Sequence, residues 1–191
     1  IGQLRSNQNG HYKINYEQID RFKKLIDTYV EVLNHNRFPK QEKPIFPMNA
    51  KIKNYLDELA QQFDTIPQER KDILERISNY IRSKQEQGKP VNLIYICTHN
   101  SRRSHLGQVW AKVSADYFNI ENVNTYSGGT EATAFNIHAI SALKRVGFNI
   151  QKTTDSENPI YHVYHNDGDE PSSCFSKVYN DAQNPGSEFS A

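Results

Sequence analysis

The chain alternates between stretches whose apolar residues recur at helical spacing and shorter runs that are apolar throughout. In residues 16 to 33, Ile19, Phe22, Leu25, Ile26, Tyr29, Val30 and Leu33 fall on one stripe, which predicts an amphipathic helix. Pro39 to Pro47 is a breaker-rich connector. A second helix is predicted over 50 to 63 through Ile52, Leu56, Leu59 and Phe63. Thr65-Ile-Pro67 predicts the start of a third, with Thr65 as N-cap and Pro67 in the first turn. Its inner face is Ile73, Leu74, Ile77, Tyr80 and Ile81, and Gly88 ends it.

Residues 91 to 96 break that rhythm. Apart from Asn92 they are apolar or β-prone, carry no charge and follow the breakers Gly88 and Pro90, so they predict a buried strand of a parallel sheet. From Ser104 onward, Leu106, Val109, Trp110, Val113 and Phe118 return to helical spacing, with His105, Gln108, Lys112 and Asp116 on the other face. A second strand is predicted at about 122 to 127, then a helix from Ile137 to Val146. After Thr153 the chain turns polar and irregular. Asn166-Asp-Gly168, Asp169-Glu-Pro171 and Asn184-Pro-Gly186 read as turns, and Ile160–Tyr164 and Phe175–Tyr179 as short strands of a hairpin.

The expected class is therefore α/β, a parallel sheet with helices on both faces, spanning residues 89 to 191 and preceded by an N-terminal helical extension over 1 to 88. That extension is expected to pack on the core or on a second copy of the chain, which makes a homo-oligomer one of the expected assemblies. Composition narrows the class further. At 191 residues, 36% hydrophobic and a mean hydropathy of −0.80, the chain has room for one polar domain plus an appendage. No apolar run approaches the roughly 18 residues of a spanning helix, and Ile1-Gly-Gln-Leu-Arg lacks a signal-peptide core, so no membrane association is expected. A net charge of +1 gives no reason to expect nucleic acid. Two cysteines make no disulfide framework, which suits a reducing cytoplasm.

One of those cysteines carries the candidate chemistry. Cys97 ends the strand and opens Cys97-Thr-His-Asn-Ser-Arg-Arg103, a C-x5-R spacing that runs into the next helix. Ligands of open α/β sheets lie at the carboxyl ends of strands, and a helix N-terminus presents unpaired N–H groups and roughly half a positive charge. Thr98, His99, Asn100, Ser101, Arg102 and Arg103 are therefore the expected phosphate-binding residues, with the Arg103 fork clamping two oxygens. The same field should make Cys97 a thiolate, with Ser104 donating its hydroxyl to the sulfur and Asn100 taking a left-handed hinge conformation. The thiolate is then placed for in-line attack on a bound phosphoryl group. C-x5-R also arises by chance, and the bland reading is a structural cysteine beside two solvated arginines. Two cations at a helix N-terminus count against that reading unless an anion joins them. Cys97, His99 and His105 lack a fourth ligand at any standard spacing, so neither a metal nor another cofactor is expected. Cys174 reads as a packed cysteine more readily than as a resolving thiol.

These segments resemble the low-molecular-weight protein tyrosine phosphatase superfamily, which includes the thioredoxin-coupled arsenate reductases and whose loop reads C-x-x-N-x-C-R-S. The resemblance implies Cys97 as nucleophile, Arg103 as oxyanion-binding arginine, Asn100 as the loop-shaping residue and Ser104 as the thiolate stabiliser. Thr125-Tyr-Ser127-Gly-Gly129-Thr130 is similar to the family's S-A-G-T segment, implying that Ser127 braces the loop. Ile137 to Ile150 is similar to its next helix and turn. Two positions depart. Arg102 stands where the family has a second loop cysteine, and His99 replaces a glycine, adding a group that would depress the thiol further when protonated. The T-H-N-S-R-R-S-H loop and the helices ahead of it resemble a subgroup with an N-terminal helical extension. The similarity covers about residues 91 to 150.

The family sheet has four parallel strands and a general-acid aspartate near its C-terminus, but only two such strands are legible before Ala191. The expectation is that the rest of the sheet and the acid lie beyond Ala191; the alternative is a rearranged core completed by N-terminal residues. Asp155 and Asp181 match no family motif. The resemblance thus implies a phosphatase hydrolysing phosphotyrosine in a phosphorylated protein, or a small phosphomonoester, through a phosphocysteine. The alternatives are an arsenate reductase, with arsenate in the same loop and thioredoxin as partner, and a phosphate-binding module without turnover. Reduction needs additional cysteines, of which this sequence offers only Cys174.

Overall fold

The computed structural model describes residues 47–167 and 170–186. The amphipathic stripe at 16 to 33 and the turn positions Gly168 and Asp169 lie outside them. Helix α1 spans Ala50–Ala60, capped by the Asn49 side chain, which accepts from the Lys51 N–H. Ile52, Leu56 and Leu59 are its buried stripe. It stops short of the expected residue 63, and Phe63–Thr65 forms a separate 3₁₀ turn. Helix α2 spans Gln68–Glu86 and starts at Pro67, not at Thr65. The Thr65 hydroxyl donates back to the Gln62 carbonyl at 2.7 Å, so it is spent within that turn. Leu74, Ser78 and Ile81 face inward, whereas Ile73 points to solvent, because a single packed stripe leaves its flank outside. Gly88, at φ +64°, takes the left-handed conformation that ends the helix.

Strand β1 (Val91–Cys97) pairs in parallel with β2 (Val123–Gly129), from Val91 opposite Val123 to Cys97 opposite Gly129. Helix α3 (Arg103–Tyr117) makes the crossover between them. The pleat sends Val91, Leu93 and Tyr95 toward α2 and α3, where they close a cluster with Ile81, Ala115, Ile120 and Val123. Ile96 belongs to the alternate set and is 53% exposed. The helices expected on both faces are thus found against one face among the described residues. Tyr95 meets Gly107 of α3 so closely that a Cβ there would stand 2.4 Å from the tyrosine Cδ1. Gly107→Ala should cost about 1–3 kcal/mol through this overpacking, read as a lower denaturant midpoint.

Helix α3 is enclosed nearly all round, which corrects the expected polar face: His105 is fully buried and Gln108 is 5% exposed. α1 and helix α4 (Ile137–Val146) supply much of the cover, burying Ile52, Leu56, Leu59, Ile140 and Leu143 in one cluster with Val109, Trp110 and Val113. Trp110 sits between Tyr55 and Phe148, with ring centroids at 5.6 and 5.3 Å. Asn136 caps α4 and Gly147, at φ +123°, ends it.

Strands β3 (Asn149–Lys152), β4 (Tyr161–Tyr164) and β5 (Ser172–Cys174) form a separate antiparallel sheet in that order. The expected strand at 175 to 179 is displaced to 172–174. Within 175 to 179 only Val178 pairs, as an isolated parallel bridge to Gly129. That bridge draws the chain after β5 against the end of β2. No helix among the described residues is long and apolar enough to cross a membrane.

Candidate active site

Cys97 is the last residue of β1, and α3 begins six residues later with Arg103. Between them the chain must reverse and present donors, and Asn100 makes that possible by adopting φ +41°. Its side chain is completely buried and works in both directions. Oδ1 accepts the Lys177 N–H at 2.9 Å, and Nδ2 donates to Ser104 Oγ at 2.8 Å. Ser104 Oγ, held by Asn100, also lies 3.0 Å from the Cys97 sulfur, to which it donates when the thiol is ionised.

The loop's carbonyls are tied on the outside. Cys97 O accepts the Thr130 N–H at 3.1 Å, and Thr98 O accepts the Glu131 N–H at 2.8 Å and the Thr130 hydroxyl at 3.2 Å. His99 O accepts from the hydroxyls of Ser176 at 2.8 Å and Thr133 at 3.3 Å, and Ser101 O accepts the Asn136 N–H at 2.9 Å. A trans peptide points its N–H opposite to its carbonyl, so outward carbonyls turn the following N–H groups inward. This is the geometry of an anion-binding concavity. Gly129 is required for the close approach: a Cβ there would lie 2.6 Å from Thr98 O and 2.7 Å from Asn100 N.

These contacts act on the thiol. Partial burial would raise its pKa, but the Ser104 hydroxyl and the N–H groups of Ser104, Ser101 and Asn100 outweigh it and hold Cys97 below the ordinary thiol value. Ser104→Ala should therefore move the midpoint of the pH dependence of Cys97 alkylation upward; an unchanged midpoint would show that the hydroxyl does not matter. The His99 side chain is more than half exposed. Its ring Nε2 lies 3.4 Å from the Glu131 carboxylate at the exposed rim.

Arg102 is the N-cap of α3, with no side-chain cap bond, and Arg103 is the first helical residue. Both side chains are exposed, and neither has an ion-pair partner among the described residues. Ser127 is fully buried, yet its hydroxyl has no hydrogen-bond partner among the described residues, so the bracing assigned to it is carried by others. Those are Thr130, Thr133 and Ser176, together with the Lys177 backbone. Ser176 is itself held from both sides by the Asn158 amide, at 3.0 and 2.7 Å. The neighbouring Gly-Gly-Thr segment pointed toward Thr130, but nothing in the spacing marked Ser176, 77 positions from the carbonyl it binds.

Beneath the loop, His105 donates from Nε2 to the Phe175 carbonyl at 3.1 Å and stacks on Phe135 with ring centroids 4.1 Å apart. Burial, helped by the nearby Lys177 charge and opposed by the Phe175 bond, pushes its pKa down to about 4. Between pH ~6.5 and that value the unfolded chain binds the proton and the folded chain does not, so stability falls as pH drops through this window, by about 3 kcal/mol in full. Denaturant unfolding at pH 7 and pH 4.5 should show the loss, and His105→Gln should flatten it.

The other candidates stand apart from this chemistry. Cys174 is fully buried, and burial pushes its thiol up to about 12, so it is a packed cysteine. Asp155 is exposed and paired with Lys152, and the Asp181 carboxylate accepts the Gln183 N–H at 2.9 Å within its own turn. Among the described residues no group of three His, Cys, Asp or Glu side chains is arranged to hold a metal ion.

No family model matches the chain. It is 41% identical over 63 residues to an arsenate reductase of Staphylococcus aureus strain Newman, a stretch covering 32% of this chain and 44% of the relative. It is 38% identical over 65 residues to arsenate reductase 2 of Staphylococcus haemolyticus and of Staphylococcus epidermidis, covering 34% of this chain and 46% of each relative. The chain thus spans under half the length of these relatives. No solved structure matches it. Of the two enzyme names attached to the loop resemblance, the reductase is the one these relatives carry.

Proposed function

We propose that the Cys97 loop binds a tetrahedral oxyanion and that Cys97 attacks it, with arsenate as substrate and reduction as the outcome. The observation that carries this reading is the Cys97 sulfur 3.0 Å from a Ser104 hydroxyl that Asn100 Nδ2 holds in place at 2.8 Å. Similarity to arsenate reductases selects the oxyanion. In the first step the thiolate attacks As(V), a protonated oxygen leaves as water, and an S–As bond forms. In the second, another thiolate attacks the Cys97 sulfur. A disulfide forms, the S–As bonding pair passes to arsenic, and arsenite departs as As(III). Arsenic gains two electrons and two thiols become one disulfide. Cys174, buried as it is, does not fit the second thiol, which is assigned to a thioredoxin-type dithiol.

A second reading rests on the same observation about Cys174. Hydrolysis of a phosphomonoester needs no second thiol: the thiolate attacks phosphorus, the alcohol leaves with a proton, and water cleaves the phosphocysteine. The experiment sets the two side by side, measuring arsenite formed from arsenate with a thioredoxin system and phenolate released from an aryl phosphate. Arsenite production supports the first reading; aryl phosphate turnover alone replaces it with the second. If neither reaction proceeds and arsenate does not protect Cys97 from alkylation, oxyanion binding itself is refuted.

A further inference from the structure

One peptide of the Cys97 loop stands against the preference of its own backbone. Asn100 holds φ +41°, a region that L residues enter at a cost even when the residue is asparagine. Rotating the His99–Asn100 peptide plane by half a turn changes the φ of Asn100 by the same amount and carries it into the ordinary negative range. The same rotation turns the Asn100 N–H away from the Cys97 sulfur and brings the His99 carbonyl round in its place, exchanging a donor for an acceptor. That alternative is locally relaxed and wrong for a thiolate.

What opposes the rotation comes from far along the chain. The His99 carbonyl accepts from the Ser176 hydroxyl at 2.8 Å and from Thr133 Oγ1 at 3.3 Å, and Ser176 Oγ in turn accepts the Thr133 N–H at 2.7 Å. A carbonyl only accepts and an N–H only donates, so the single hydroxyl proton of Ser176 is fixed on His99. The Ser176 backbone is fixed as well: Asn158, between β3 and β4, accepts its N–H at 3.0 Å and donates to its carbonyl at 2.7 Å. Ser176 is 2% exposed, so bulk water does not reach this bond.

We propose that Ser176 and Asn158 are positioning residues of the Cys97 site: Ser176 clamps the His99–Asn100 peptide in its strained orientation, and Asn158 acts through Ser176. Their effect reaches the sulfur through that one peptide. The inference rests on the reading of Cys97 as an ionised nucleophile, but its readout needs neither arsenate nor turnover, so failure of the proposed reaction and failure of the clamp are separate results.

Alkylation by iodoacetamide as a function of pH tests it in the full chain, and with Cys174 fully buried the signal reports Cys97. Ser176→Ala should raise the midpoint by about 0.5–1 pH unit, because the thiolate loses a donor and gains a facing carbonyl. Asn158→Ala should raise it by a smaller step. It leaves Ser176 and every loop residue in place, and it decides the question alone if Ser176→Ala does not fold. The charged and titratable groups of the loop and its immediate supports, His99, Arg102, Arg103, His105, Glu131 and Lys177, are the same in both variants, so a moved midpoint reports the peptide. Leu56→Ala, in the core beneath α1, separates clamping from general loosening: it should lower the denaturant midpoint without moving the alkylation midpoint. The inference is overturned if either variant, once folded, keeps the wild-type alkylation midpoint, or if Leu56→Ala raises it as much as Ser176→Ala does.

Discussion

On the proposed reading, Cys97→Ser should lose oxyanion turnover by a factor on the order of 10⁴ or more while keeping the fold, because it removes the sulfur assigned to the covalent bond. A serine hydroxyl in that position does not ionise at neutral pH, so the inward N–H groups that lower the thiol pKa cannot make it a nucleophile. Binding should survive, since the donors assigned to the oxyanion belong to the loop backbone and to Arg103. The pair of measurements is single-turnover product formation and arsenate affinity. A variant that still turns over within about tenfold of the wild type would remove Cys97 from the chemistry altogether.

The second large effect falls on Asn100, whose side chain is completely buried. Asn100→Ala deletes two buried hydrogen bonds, leaves the Lys177 N–H and the Ser104 hydroxyl without their partner, and forces alanine into φ +41°. Together these should cost about 3–5 kcal/mol of unfolding free energy, measurable in denaturant. Asn100→Gly relieves the backbone but not the lost bonds, so the difference between the two variants isolates the left-handed strain. A readout specific to the site accompanies the loss of stability. With Asn100 gone, the Ser104 hydroxyl is no longer held in place against the sulfur, and the Cys97 alkylation midpoint should rise in both variants. Stability changes within about 0.5 kcal/mol for both would refute the role.

The heart of this arrangement was legible because it is local. An uncharged apolar run, a loop of small polar residues and a helical repeat follow one another without interruption from Val91 to Tyr117, and each carries its signal in adjacent residues. The helix from Ile137 to Val146 was readable for the same reason, with Asn136 and Gly147 marking its ends. What escaped is non-local. His105 and Gln108 look like the polar side of an amphipathic helix, and only the cover behind α3, including the Phe175 carbonyl, shows why they are inside. Ser176 and Asn158 sit in a stretch with no periodicity, and their purpose appears only when the chain brings them under the His99 carbonyl. Ser127 shows the reverse failure: a position that resemblance marks as a brace has its hydroxyl unengaged, and the load passes to Thr130 and Thr133.

The pleat of β1 also governs the aim of the sulfur. Cys97 shares its parity with Val91, Leu93 and Tyr95, the residues that press against α2 and α3, so the apolar alternation of the strand also orients the thiol. Deleting a single residue between 91 and 96 would keep the loop sequence intact and still rotate Cys97 to the opposite side, away from Ser104. The strand thus acts as a ruler for the chemistry at its end, and insertions or deletions in it should be far less tolerated than hydrophobic substitutions that preserve its count.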